Sequence, residues 1–433
     1  MSEQEIKQET KIPVENKQET KMPVMGMTDH SLKSGFGGQM DAIMRALNEK
    51  YKSYFVGWGF HYEEAIQRNG YTLLPTGNDY HGADILMQHL NVFKPEVLIV
   101  QSDTRMVEYL PNLIKQSPHK PIWIYYPVID GHVWQPDGKK WKWPGNWCQV
   151  MKQADVIVAY SDFGKEILLA NGFEKVERIY HSIDTTLFKP YSKEDKEAIK
   201  TSLGVSGKFV IGGVFKNMIR KNPEKYLQAF CKFREGKEDK VVLVLMTKPV
   251  PSGAGEFNLV QMAADYGLVI GKDLFFIQGG FVTALMPQVY NTFDVFWALG
   301  GMEGFNVPLI EAMACGIPVV ALDATTHREI LGGTGILTLP PVYSKSKGCT
   351  MTYGSYNGVE GIVCDPYDVA RRTQTLYTDR LLGMNISYKE IERAITTFDY
   401  SVIKQQWVDL VDKYVITESD VPDEWKELYG SVK

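Results

Sequence analysis

Cysteine is sparse in this 433-residue chain and follows no pattern: Cys148, Cys231, Cys315, Cys349 and Cys364 are scattered, with no C-x-x-C spacing. An odd, scattered set argues against a disulfide framework or a cysteine zinc site and fits a reducing, cytoplasmic compartment. Long apolar runs are also missing. Stretches such as Val241–Met246 have strand length, far short of the ~20 residues that span a bilayer. The N-terminus is rich in Lys, Glu and Gln and holds no apolar signal core. Excess positive charge is absent: 47 Lys and Arg stand against 52 Asp and Glu, for a net charge of −5. Without a basic field to release counterions, nucleic acid is not an expected partner.

What remains is an ordinary globular composition, 44% hydrophobic and 23% charged. The length suits two or three domains. A short duplication opens the chain, KQETKIPV (7–14) followed by KQETKMPV (17–24). Its polar residues bury too little surface to offset ordering entropy, so 1–20 is expected to be a disordered tail. The second copy runs into PVMGM (23–27), a first strand.

Strand-like and helix-like segments then alternate. Strands are expected at 54–57, 97–100, 121–126 and 156–159, with amphipathic segments such as 39–50 and 85–93 between them. The pattern restarts after Pro190, with strands at 209–214, 241–246, 274–277, 295–298 and 318–322. Such alternation predicts α/β architecture with parallel sheets covered on both faces. Two series imply two Rossmann-like domains, 21–190 and 191–397, joined at the polar stretch 191–208. A helical segment, 398–433, follows and is free to cross back to the first domain. Ligands of open parallel sheets sit beyond the carboxyl ends of strands, so the chemistry is expected in the cleft between the two.

The most informative stretch is FDVFWALGGMEGFNVPLIEAMACGIPVVALD (293–323). It reads as strand, Gly-rich loop, short helix, strand. Pro308 suits the first helical turn, where its missing N–H costs nothing. Gly316 suits the left-handed position after the last turn, and Pro318 stops continuation. The helix is expected at about 307–315. Its N-terminus, at the carboxyl end of a strand, is a site for a diphosphate. Gly300, Gly301 and Gly304 permit close backbone approach. Glu303 and Glu311, eight positions apart, can face one cleft and accept hydrogen bonds from vicinal hydroxyls.

Glu303-Gly304-Phe305-Asn306-Val307-Pro308-Leu309-Ile310-Glu311 resembles the Glu-x7-Glu signature of glycosyltransferase family 4, retaining enzymes of the GT-B fold. The similarity continues through EAMACGIPVVALD (311–323) and GIVCDPYDV (361–369), with weaker likeness in 154–168 and 179–190. The resemblance implies that Glu303 contacts donor sugar hydroxyls and Glu311 the nucleotide ribose. It implies that the backbone of Phe305, Asn306, Val307 and Leu309 faces sugar and diphosphate, with Gly304 beside it. A basic pair in the loop GGVFKNMIRKNPEKYLQAF (212–230) would hold the diphosphate. Lys221 matches the family lysine. The family arginine before it has no direct counterpart; Lys216 is the nearest basic residue and Arg220 is also present.

In the first domain, HSLKSGFGGQMDAI (30–43) is a Gly-rich turn entering a helix, and Gly37 and Gly38 are candidates for a cleft role or a plain tight turn. Asp130, in YYPVIDG (125–131), is the candidate acidic residue near the reacting sugar, with a satisfied loop aspartate as the alternative. His181 is a weaker candidate. Five tryptophans, Trp123, Trp134, Trp141, Trp143 and Trp147, crowd 121–147. Packing under a loop, a carbohydrate acceptor platform and peripheral membrane contact all remain open for them.

The resemblance therefore implies hexosyl transfer from a nucleoside-diphosphate sugar to a carbohydrate or glycoconjugate acceptor. No Asp-x-Asp motif stands in a suitable loop, so neither a metal nor another cofactor is expected. The loop GGFVTALM (279–286) bears on base selectivity, and UDP- and GDP-sugars both stay open. A GT-B epimerase, a phosphorylase-like enzyme and a non-catalytic sugar-binding protein of the same fold are the alternatives.

Overall fold

A computed structural model describes residues 21–62, 64–133, 142–278, 283–339, 350–353 and 359–415. The expected tail, 1–20, lies outside the described residues, as do Trp134 and Trp141 and the 279–282 portion of the base-selectivity loop.

The first half builds a sheet from β1 (Pro23–Asp29), β2 (Lys52–Trp58), β3 (Ile66–Arg68), β4 (Tyr71–Leu74), β5 (Val97–Ser102) and β6 (Ile122–Pro127). After β7 (His132–Val133), which lies elsewhere, β8 (Val156–Ala159) and β9 (Val176–Arg178) complete it. The order is β3-β4-β2-β1-β5-β6-β8-β9. Every pairing is parallel except β3 with β4. The second half builds a sheet from β10 (Phe209–Val214), β11 (Val241–Met246), β12 (Leu274–Ile277), β13 (Val295–Ala298), β14 (Val319–Leu322) and β15 (Ile336–Thr338). It is wholly parallel, in the order β12-β11-β10-β13-β14-β15. That is the doubly wound 3-2-1-4-5-6 order, reversing between β10 and β13.

Strand sequences explain the layers. VVLVLM in β11 is apolar at every position, as a parallel strand covered on both faces requires. The helix Val307–Ala314 starts with Pro308 in its first turn. It ends in a Schellman turn: Gly316 has φ +69°, its N–H donates to Met313, and the Ile317 N–H donates to Ala312.

Three features fasten the halves together. A small antiparallel sheet joins β16 (Thr350–Tyr353) to β17 (Val359–Ile362) and β17 to β7 of the first half. Gly131 lets the chain pass, since a Cβ there would stand 2.6 Å from Val359 and 2.7 Å from the Glu360 carbonyl oxygen. The helix Tyr400–Asp412 returns to the first half, with the Trp407 ring 5.0 Å from Tyr126. Asp412 accepts from Lys50 at 2.7 Å and from the Tyr51 hydroxyl, and Lys404 pairs with Glu49 at 3.0 Å. Glu329 of the second half accepts from the Asp162 and Phe163 amides, at 2.7 and 3.0 Å, capping a first-half helix.

Trp123, Trp143 and Trp147 are all buried, so packing accounts for these three. No helix among the described residues is long and apolar enough to cross a membrane.

Candidate functional site at the sheet switch points

Both sheets turn their carboxyl ends toward one crevice. The loops after β10, β13 and β14 reach it from the second half, and those after β5 and β6 from the first.

The loop after β10 is fixed before it reaches the crevice. Asn217 donates to the Lys248 and Phe257 carbonyls at 3.0 and 2.7 Å and accepts from the Phe257 amide at 3.1 Å. A 3-10 turn, Ile219–Lys221, follows, then Asn222 in the left-handed region at φ +52°. Asn222 Nδ2 donates to the Leu299 and Ile362 carbonyls, at 2.8 and 3.1 Å. This turn aims Arg220 and Lys221 at the loop after β13.

That loop needs its glycines for stated reasons. A side chain on Gly300 would collide with the Glu303 carboxylate, and one on Gly301 with the Ile362 carbonyl oxygen. The Gly301 amide donates to the Arg220 carbonyl at 2.9 Å, which ties the two loops directly. A Cβ on Gly304 would face Val128, Tyr160 and the Ile129 carbonyl of the first half, at 3.2 to 3.6 Å. The loop after β14 supplies the backing. Thr326 Oγ1 donates to the Glu303 and Phe305 carbonyls, and Thr325 Oγ1 accepts from the Glu303 amide. Asn306 holds φ +86° at the helix entry, and its side chain meets His327 Nε2 at 2.8 Å. His327 Nδ1 lies 2.8 Å from the Leu322 carbonyl, so Nδ1 carries the proton and Nε2 accepts from Asn306.

Glu303 is only 4% exposed. Lys221 Nζ lies 2.6 and 2.5 Å from its two oxygens, and Arg220 Nη1 3.4 Å from one. Burial alone would raise the Glu303 pKa, but Lys221 and Arg220 outweigh it and hold the carboxyl below its usual range. Lys221 is pushed down to about 8, by burial first and by Arg220 second, against the pull of Glu303. Asp130 is 3% exposed and is pushed up to about 6 by burial, with Asp103 and Glu303 adding and Arg220 and Lys221 opposing. Glu303, Lys221, Arg220 and Asp130 therefore share one electrostatic neighbourhood.

Glu311 stands further along the same helix, half-buried, with Tyr290 donating its hydroxyl proton at 2.5 Å. Burial pushes the Glu311 carboxyl up to about 7, and the Tyr290 hydrogen bond partly opposes this. Phe305 and Leu309 turn their side chains into the core; the Phe305 ring lies 4.9 Å from His181 and 5.8 Å from Tyr180. Val307 is half-buried at the helix start.

Some candidates fall elsewhere. Lys216 is exposed and lies close enough to Glu256 for its charge to be felt there; the cations paired with Glu303 are Arg220 and Lys221. Gly37 packs against the Asp29 and Ser31 carbonyls, and its amide donates to Ser34 Oγ at 2.9 Å, so the tight turn accounts for it. Gly38 donates its amide to the Ser34 carbonyl in the same turn. His181 is buried, pushed down to about 3 by that burial, and bonded to the Tyr126 hydroxyl at 2.9 Å. Its neutral ring packs with Tyr126, Tyr160 and Phe305.

Sequence reasoning missed Asp103, Tyr290 and His327. Asp103 follows β5, as Asp130 follows β6, and lies close enough to Arg220 to feel its charge. The strand-end position was the signal that would have found it. Among the described residues no group of three or more His, Cys, Asp or Glu side chains is arranged to hold a metal.

Comparison with known proteins bears on this geometry. Residues 195–347 match the family model of glycosyl transferases group 1. The lipopolysaccharide core biosynthesis mannosyltransferase LpsB of Rhizobium meliloti is 30% identical over 156 residues, 36% of this chain and 42% of that protein. A GDP-mannose-dependent alpha-mannosyltransferase of Mycolicibacterium smegmatis is 27% identical over 199 residues, 46% of this chain and 47% of that one. The chain thus spans less than half the length of these curated relatives. Among solved structures, sucrose-phosphate synthase from Thermosynechococcus elongatus superposes with a TM-score of 0.72 at 16% identity, covering 90% of this chain and 98% of that one. Anabaena HepE in complex with UDP-glucose gives 0.70 at 16% identity, covering 90% and 100%. The fold is GT-B: two Rossmann-like α/β domains facing across a cleft.

Proposed function

We propose that this protein is a glycosyltransferase that moves a hexosyl group from a nucleoside-diphosphate sugar to a carbohydrate-type acceptor, with retention at the anomeric carbon. One observation carries the reading. A buried carboxylate, Glu303, sits with Lys221 and Arg220 at the switch point of a doubly wound sheet, beside the N-terminus of the helix Val307–Ala314. Two cations and a helix N-terminus suit a diphosphate, and the adjoining carboxylate suits sugar hydroxyls. The group 1 family match and the mannosyltransferase relatives support the same reaction class.

In this scheme the bond between the anomeric carbon and the diphosphate oxygen breaks. Lys221, Arg220 and the helix N-terminus stabilise the charge that gathers on the leaving group. An acceptor hydroxyl bonds to the anomeric carbon from the leaving group's own face, and its proton passes to a phosphate oxygen. Glu303 binds the sugar, Glu311 the ribose, and Asp130 stands across the crevice on the acceptor side. Residues 21–190 form the acceptor-side domain, 191–397 the donor-side domain, and 398–433 a C-terminal segment whose helix Tyr400–Asp412 returns to the first domain. The donor is a GDP- or UDP-hexose, no metal takes part, and the setting is cytoplasmic.

The test is a thermal-shift panel of UDP-, GDP- and ADP-sugars, followed by acceptor screening with the best donor and NMR assignment of the new linkage. A donor that raises the melting temperature and a product retaining its anomeric configuration are expected. No stabilisation by any nucleotide sugar defeats the proposal, and an inverted product defeats its stereochemical part. Activity is expected to persist in excess EDTA.

A further inference from the structure

A rigid aromatic surface lies at the carboxyl ends of β1, β2 and β4, on the edge of the first sheet that also carries Asp103 and Asp130. Tyr62 and Tyr80 are 66% and 51% exposed. The Tyr62 ring rests on Phe60, 4.5 Å between centroids. Tyr80 lies over Gly59, φ +72°, where a Cβ would stand 2.7 Å from the ring. His61 and His81 flank it at 6.4 and 5.2 Å.

The two segments that bear these rings are zipped together. The Gly59 amide donates to the Tyr80 carbonyl at 3.1 Å, and the Thr76 amide to the Phe60 carbonyl at 3.1 Å. His61 Nδ1 pairs with the Gly77 carbonyl at 2.8 Å. Rings held this way lose little freedom when something stacks on them.

Charge selects the occupant. Asp29 lies close enough to help burial raise the Tyr80 pKa, and Asp79 and Asp84 stand on the loop after β4. Against these three carboxylates stand Arg68, turned to the His30 carbonyl at 2.7 Å, and Lys33, exposed on the loop after β1. This acidic surround repels a phosphorylated acceptor or an anionic lipid surface and accepts a neutral polyol. Aromatic faces pack on sugar C–H surfaces while carboxylates and imidazoles take hydroxyls. Both rings are held at the end of β2, which Tyr62 follows and to which the Gly59–Tyr80 hydrogen bond ties the other, and β2 stands two strands from β5. At about 4.8 Å per strand the rings lie roughly 10 Å from Asp103, a span for two or more linked hexoses and not for one.

We propose that Tyr62 and Tyr80 form a distal acceptor subsite that stacks a neutral hexose unit of an oligosaccharide whose end reaches the crevice at Asp130. The proposal rests on the transfer reading. Its test is calorimetric titration of the full chain with neutral manno- and gluco-oligosaccharides of one to four residues. Affinity is expected to rise with length. Tyr62→Ala and Tyr80→Ala each weaken tetrasaccharide binding roughly three- to tenfold, with monosaccharide binding and melting temperature unchanged. Tyr62→Phe and Tyr80→Phe retain the affinity. Wild-type tetrasaccharide affinity in both alanine variants, or no dependence on length, overturns the proposal. So does binding to phosphatidylglycerol vesicles that those variants lose. If donor sugars raise the melting temperature while the tetrasaccharide fails to bind, the subsite falls and the transfer reading stands. If the tetrasaccharide binds through the rings while no nucleotide sugar binds, the transfer reading falls and the stacking surface stands.

Discussion

Replacing Glu311 with glutamine is expected to stabilise the protein while weakening its donor. An ordinary glutamate ionises near ~4.3, whereas burial pushes Glu311 up to about 7. Between those values the folded chain holds a proton that the unfolded chain has released, so stability falls as pH rises through the window and stays low above pH 7. At about 1.36 kcal/mol per pH unit the ceiling is roughly 4 kcal/mol. Glu311 is only half-buried, and solvent screening reduces this to about 1–2 kcal/mol. Glutamine keeps the shape, can still accept from Tyr290, and never ionises. Urea unfolding of both proteins from pH 4.5 to 8 tests the argument. The advantage of Glu311→Gln should grow with pH and level off above about 7. Calorimetry with the best nucleotide sugar at pH 8 should show donor affinity reduced about tenfold, for one lost charge-assisted hydrogen bond. A stability difference that stays flat across the pH range refutes the electrostatic reasoning, and unchanged donor affinity refutes the ribose role.

Lys221→Ala leaves Glu303 buried with Arg220 as the neighbouring cation, so turnover should drop at least a hundredfold and stability by about 3 kcal/mol. Adding Glu303→Gln should restore much of that stability but none of the turnover, as urea unfolding and single-turnover assays would record; additive stability losses would contradict the pairing. Asp130→Asn should flatten the acid limb of kcat/KM, since Asp130 ionises at about 6 and its charge is lost as pH falls through that value; an unchanged limb removes Asp130 from the chemistry. Trp407→Ala, which empties a site 2% exposed against Tyr126, should cost about 3–5 kcal/mol of unfolding free energy, and a cost below about 1 kcal/mol would show that the returning helix is not held by this ring.

The sequence is most legible where one physical cause dominates. Continuous apolar runs mark β10 and β11 because burial on both faces leaves no room for polar residues. The helix at 307–314 is legible to within a residue because Pro308 and Gly316 each serve a position that few other residues serve. Elements held by distant partners are not legible in this way. β7 is two residues long and forms by pairing with β17, whose residues follow more than two hundred positions later. The phosphate-side cation shows the same limit. The family resemblance offered Lys216 as the nearest basic residue with Arg220 also present, and the 3-10 turn Ile219–Lys221 sets Arg220 toward Glu303. His327 gives no local signal, because its role depends on a carbonyl five residues back and an amide twenty-one residues back.

The charge pattern of the crevice also bears on how a donor would enter. Lys221 is already paired through both Glu303 oxygens, and Arg220 reaches the same carboxylate and the Met302 carbonyl at 2.7 Å. A diphosphate carries more negative charge than one carboxylate, so it competes for both cations at the helix N-terminus. Each cation it draws away releases a Glu303 oxygen that is buried and must find another donor. The hydroxyls of the attached sugar are the groups that arrive at the same moment to supply it. A nucleoside diphosphate without a sugar would take the cations and leave Glu303 unsatisfied. Under the proposed function the intact nucleotide sugar should therefore bind more tightly than its nucleoside diphosphate, with the difference shrinking in Glu303→Gln.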